Sequence, residues 1–181
     1  MSVYKLLENT DPLLELPLLK CNDNLDRKEL KENLIETMKH YNGIGLSANQ
    51  CGVLERAFVF YAGFEKRLSV VCFNPQIVET STVDVEMVEG CLTYPGLWLK
   101  IKRPEWIGAT FEDETGAECK GVFKELEGRT FLHEYDHMEG TNFTDKVSRL
   151  KLDMARKRVK KQLKRAENLK KAMASSNWGG F

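Results

Sequence analysis

Along the chain, apolar and polar positions alternate in two different rhythms. After Asn24 and Asp26, Leu30, Leu34 and Met38 recur every four residues among charged ones, the spacing of a helix that buries one face. Asn24 or Asp26 can cap its start, it runs to about His40, and Tyr41-Asn42-Gly43 ends it. The stretch GIGLSANQCG that follows keeps neither period. From Arg56 to about Lys124 the rhythm shortens to the runs RAFVFY, SVVCF, TVDVEMV, LWLKIK, WIGATF and CKGVF, rich in Val, Phe, Trp and Ile. These predict strands. Turn signals separate them at Ala62-Gly63, Asn74-Pro75, Pro95-Gly96, Arg103-Pro104 and Thr115-Gly116. Helical spacing returns from Glu125 to Met138 through Leu126, Phe131, Leu132 and Tyr135, with Gly140 closing it. A long last helix is predicted over about 148–174, with Leu152, Val159, Leu163, Ala166, Leu169 and Met173 as its apolar stripe and SSNWGGF as a frayed tail. A helix, a run of strands, then helices in one small chain predict an α+β fold.

Length and composition narrow the class. At 181 residues and 20.8 kDa the chain suits one domain with a real core. No apolar run is long enough for a membrane span, and Glu8, Asp11, Pro12, Glu15 and Pro17 break any signal-peptide pattern at the start. The five scattered cysteines form no Cys-x-x-Cys pair, as expected of a reduced, cytoplasmic protein. The formal net charge of zero hides an asymmetry. Lys146 to Lys171 carries 12 basic and 2 acidic residues, and residues 1–145 carry 15 and 25. The sequence therefore divides into an acidic body, residues 1–147, and a basic amphipathic extension, residues 148–181. The extension reads as a solvated helix packed by its stripe, or as a contact for nucleic acid.

The strongest chemical signal is His133-Glu134-Tyr135-Asp136-His137. On a helix, residues i and i+4 share a face, so both imidazoles can grip one metal ion while Glu134 reaches a water beside it. A catalytic site of this type needs a third protein ligand. His40 reads better as a cap on a helix end, and Glu139 is too close to His137. Glu167, downstream, and Cys91, in Glu-Gly-Cys-Leu-Thr with glycines nearby, both stay open. Gly43-Ile44-Gly45-Leu46-Ser47-Ala48-Asn49-Gln50 is neither a P-loop nor a dinucleotide fingerprint. Its small residues suit a backbone running beside a ligand, and the Gln50 amide can donate to an oxyanion. Residue types alone thus license metal-assisted hydrolysis of an acyl compound.

Taken in order, GIGLSANQ, EGCLT and HEYDH resemble the three signatures of the peptide deformylases, and the resemblance runs from about Asp11-Pro12 to Leu150. It implies small antiparallel sheets around a central metal-binding helix, with an N-terminal helix and the long basic C-terminal helix beyond. It implies a hydrolase of protein biosynthesis that removes the N-formyl group from the N-terminal methionine of nascent chains. Cys91, His133 and His137 become the metal ligands. One divalent ion is expected, Fe²⁺ in the cell, with Zn²⁺, Ni²⁺ or Co²⁺ able to take its place. Glu134 becomes the acid/base, and the Gln50 side chain and the Leu92 backbone N–H face the oxyanion. Gly43, Ile44, Gly45, Glu89 and Gly90 become substrate-binding residues. Where the family often has Ala, Pro, Ser and a smaller aliphatic, this chain has Ser47, Asn49, Thr93 and Tyr94, which bears on substrate preference. Bacterial members use a C-terminal helix to dock on the ribosome, which offers the basic extension ribosomal RNA as a partner. The enzyme is expected to be a monomer. A zinc peptidase using Glu167, or a non-catalytic ribosome- or RNA-binding module, are the alternatives.

Overall fold

The computed structural model describes residues 2–63 and 68–176. Helix α1 (Arg27–His40) starts at Asp26, whose carboxylate accepts from the Glu29 N–H at 2.9 Å, so Asp26 rather than Asn24 is the cap. Strand β1 (Gly45–Ser47) lies inside the Gly-rich stretch and is followed by β2 (Ala57–Ala62), β3 (Leu68–Thr80), β4 (Asp84–Gly90), β5 (Trp98–Pro104), β6 (Trp106–Glu112) and β7 (Glu118–Lys124). Helix α2 (Glu125–Met138) and helix α3 (Arg149–Ser176) complete the order. Residues 177–181, most of the tail expected to fray, lie outside the described residues.

One antiparallel sheet has the order β1-β2-β3-β6-β7, and β4 pairs with β5 in a separate two-stranded sheet. Strand β2 is buried along both faces, which is why it reads as a continuous apolar run. Val59 and Tyr61 turn toward α1, packing with Leu30, Leu34 and Met38. Phe58 and Phe60 turn toward α2, where Phe131 meets their rings edge-on at 5.0 and 5.9 Å. Burying each such ring is worth about 1.5–3 kcal/mol. Helix α2 therefore lies on the large sheet, and a third cluster of Tyr94, Leu97, Leu99, Ile101 and Phe143 seats the small sheet beside it.

Two expectations change. Asn74-Pro75 is not a turn between strands, because β3 runs through it to Thr80 with a register shift between Phe73 and Gln76. Asn74 adopts φ 50°, and Pro75, which has no N–H to give, falls where the ladder is interrupted. The stripe of α3 is buried only at its start. Leu152, Ala155 and Val159 pack on the third cluster, whereas Leu163, Leu169 and Met173 are more than 60% exposed. No helix among the described residues is long and apolar enough to cross a membrane.

Gly140, which ends α2, is required by space as well as by its φ of 67°, because a Cβ there would come within 2.5 Å of the Glu15 carbonyl oxygen. The neighbouring bridge of Pro17 to Glu139 ties the N-terminal segment to this corner.

Candidate metal centre and active site

Helix α2 breaks the rule that a helix turns its polar residues to water. Arg129, Thr130, His133, Glu134 and His137 are all buried, on the flank that faces β1 and the small sheet. The end of β4 delivers Cys91 against them. Its Sγ lies 3.5 Å from His137 Nε2, and one ligand atom from each of Cys91, His133 and His137 falls within 4.8 Å of the others. One cysteine sulfur and two imidazoles converging in this wall form a donor set suited to a divalent transition metal. The alternative ligands stay away: His40 sits exposed at the end of α1 against Tyr41, and Glu167 pairs with Lys171 on the surface of α3.

His133 is held from behind. Its Nδ1 lies 3.0 Å from Glu89 Oε2, so an N–H on that nitrogen donates to the carboxylate and leaves Nε2 for a metal. Glu89 also accepts from Arg103 at 2.7 and 2.9 Å and from Arg129 at 2.9 Å. Arg103 continues to Asp136, and Arg129 donates to the Ile101 and Val85 carbonyls, so the two guanidinium groups lash the small sheet to α2. Burial would raise the Glu89 carboxyl, but the His133 and Arg103 hydrogen bonds outweigh it and lower it to about 2. Burial would likewise lower His133, and the Cys91 and Glu89 contacts instead lift it to about 10. His137 is pushed down by burial and by the positive charge of His133 and Arg103. Glu89 thus turns its carboxylate to His133 and the arginines, although substrate contact was expected of it.

The Gly-rich stretch supplies the opposite wall. Glu134 lies directly behind Gly45, where a Cβ would sit 2.5 Å from Glu134 Oε1 and 2.7 Å from the Thr130 methyl. Burial raises the Glu134 carboxyl to about 6, against the pull of His133 and of a 2.8 Å hydrogen bond from Ser47 Oγ to Glu134 Oε2. Gln50 is fixed at both ends. Its Oε1 accepts from the Ser47 N–H at 2.9 Å, and its Nε2 donates to Thr93 Oγ1 at 2.9 Å and to Cys91 Sγ at 3.2 Å. An added Cβ would also come within 2.8 Å of the Leu92 side chain at Gly43 and of the Trp98 ring at Gly90.

A cleft of about 980 Å³ opens over these groups. Gly43, Ile44, Gly45, Gln50, Glu89, Gly90, Cys91, Leu92, His133 and Glu134 all line it, and His137 lies behind them. The sequence reading missed Arg103, Arg129 and the role of Thr93. One signal was present: Arg103 shares the inward phase of β5 with Leu99 and Ile101, an unusual place for a charge.

The family model described as polypeptide deformylase matches residues 3–153. A peptide deformylase of Thermotoga petrophila is 33% identical over 160 residues, covering 87% of this chain and 94% of the relative. The crystal structure of a peptide deformylase from Legionella pneumophila superposes with a TM-score of 0.82 at 30% identity, covering 92% of this chain and 98% of that one. That of Ehrlichia chaffeensis in complex with actinonin gives 0.81 at 34% identity, over 90% and 98%.

Proposed function

Because the chain belongs to the polypeptide deformylase family, we infer that it hydrolyses the formyl group from the N-terminal methionine of newly made proteins and releases formate. The observation that carries this reading is the convergence of Cys91, His133 and His137 with Glu134 in one buried wall of the cleft. We propose these three as the ligands of one divalent ion, Fe²⁺ in the cell, with Zn²⁺, Ni²⁺ or Co²⁺ able to replace it. When bound, such an ion would make a water beside it far more acidic and would polarise the formyl carbonyl.

The rest of the chemistry falls to the chain. Glu134, poised near 6 by burial, takes a proton from the attacking water and delivers it to the leaving amine. The Gln50 Nε2 amide, with its Oε1 end fixed on Ser47, turns the N–H that meets Cys91 Sγ toward the oxygen that becomes negative, which the Leu92 backbone N–H also faces. Each donor of this type is worth about 3 kcal/mol of barrier. Gly43, Ile44, Gly45 and Gly90 offer the peptide a backbone that it can approach closely, and Glu89 acts through His133 by fixing its ring.

We also propose that residues 1–147 form the catalytic unit of a cytoplasmic monomer. Residues 148–181 are then an extension whose first turns share the core and whose later, basic turns contact ribosomal RNA. The dense positive charge of α3 and its exposure beyond Val159 support this. The test of the main reading is formate release from formyl-Met-Ala-Ser under anaerobic conditions, with metal analysis of the same sample. Stoichiometric metal with formate release is expected; metal without formate would overturn it.

A further inference from the structure

Ser47 sits fully buried at the end of β1 and touches both Glu134, the proposed proton carrier, and Gln50, the proposed oxyanion donor. It does so with two separate donors. Its backbone N–H donates to Gln50 Oε1 at 2.9 Å, and its hydroxyl donates to Glu134 Oε2 at 2.8 Å. The hydroxyl has a second acceptor in reach, Gln50 Oε1 at 3.1 Å, but only one proton, and the backbone N–H already serves Gln50. The closer carboxylate is also the stronger partner, since a hydrogen bond to a charged group is shorter and about twice as strong as a neutral one.

The surroundings leave Glu134 few other restraints on that oxygen. Gly45 has no side chain to hold it, Thr130 presents a methyl to the Gly45 side, and the neighbouring charges of His133, Glu89 and Arg103 act through space. A carboxylate that must receive a proton at one fixed place and then return it needs its plane set, and among the described residues the Ser47 hydroxyl is the group within hydrogen-bond distance of Oε2. We propose that Ser47 is a positioning residue of the hydrolysis: its hydroxyl orients the Glu134 carboxylate while its backbone N–H orients the Gln50 amide, so that base and oxyanion donor are held in one frame. This rests on Glu134 being the base.

A double-mutant cycle tests it. Ser47→Ala keeps the backbone bond to Gln50 and removes only the hydroxyl, so kcat for formyl-Met-Ala-Ser is expected to fall about tenfold with KM and metal content unchanged. In a Glu134→Gln background, assayed with stoichiometric enzyme, the same substitution is expected to change the residual rate by less than twofold. An unchanged kcat in Ser47→Ala overturns the proposal. So does an equal drop in both backgrounds, or a loss of metal or a raised KM in place of the kcat effect. Failure of the underlying reading is seen separately, as full activity in Glu134→Gln alone.

Discussion

Helices α2 and α3 are both amphipathic, yet they treat the rule of burial in opposite ways. Helix α2, with 14 residues, buries Arg129, His133, Glu134 and His137 beside Phe131 and Met138. Helix α3, with 28 residues, keeps its charges in water and still leaves Leu163 and Leu169 open. Buried polar groups cost free energy unless each is paired; on α2 Arg129, His133 and Glu134 are paired through Glu89 and Ser47, while His137 meets Cys91 through Nε2 and its Nδ1 has no partner among the described residues. The chain bears that cost where the proposed ligands and base converge. On α3 no such demand exists, and its stability comes from Leu152, Ala155 and Val159 on the third cluster. A helix that violates the pattern marks the chemistry more sharply than one that obeys it.

That contrast breaks first at the proposed metal ligands. Cys91→Ser replaces a soft thiolate with a hard hydroxyl, and on the order of a hundredfold weaker metal binding is expected, with most of the activity lost at limiting metal. Metal titration against a chelator checks this. Next is the support behind His133. Glu89→Gln leaves two guanidinium groups and an imidazole without their common carboxylate, and a destabilisation of about 3–5 kcal/mol in denaturant unfolding is expected. Metal affinity should fall about 10- to 100-fold.

The same carboxylate gives a pH dependence. Its native value is about 2 against an ordinary 4.5, so between those values the unfolded chain holds a proton that the folded one does not. The stability it contributes is fully present above 4.5 and is lost as pH falls through that window toward 2. Acid unfolding followed by circular dichroism should show a drop there that Glu89→Gln lacks. The smallest effect belongs to α3. Ending the chain after Lys160 keeps Leu152, Ala155 and Val159 in place, so hydrolysis of a short peptide should change less than twofold, while co-sedimentation with ribosomes weakens. An unaltered co-sedimentation would remove the docking role.

How much of this was legible in the sequence follows from whether a feature is local. The β2 run, the helical spacing of α1 and α2 and the i, i+4 histidines are local patterns, and they stand where they were expected. Strand β1 was hidden because three residues are too few to show a period, and it exists through pairing with β2 at Gly45–Phe60, Leu46–Val59 and Ser47–Phe58. Asn74-Pro75 looked like a turn because both residues favour turns, and only the continued pairing of β3 with β6 makes it a bulge. The network around Glu89 joins β4, β5 and α2, segments 14 to 44 residues apart in sequence, so no spacing rule could assemble it. For Cys91, spacing left the ligand open, and family resemblance rather than physics picked it out of five cysteines.

In the proposed chemistry, holding the ion falls to Cys91 and the buried histidines of α2, and moving the proton falls to Glu134. Glu134→Gln separates them most directly, when metal content and formate release are measured on one anaerobic preparation. One divalent ion per chain is expected, with a rate lowered by about 10²–10⁴-fold. Full hydrolysis with the ion in place would contradict it.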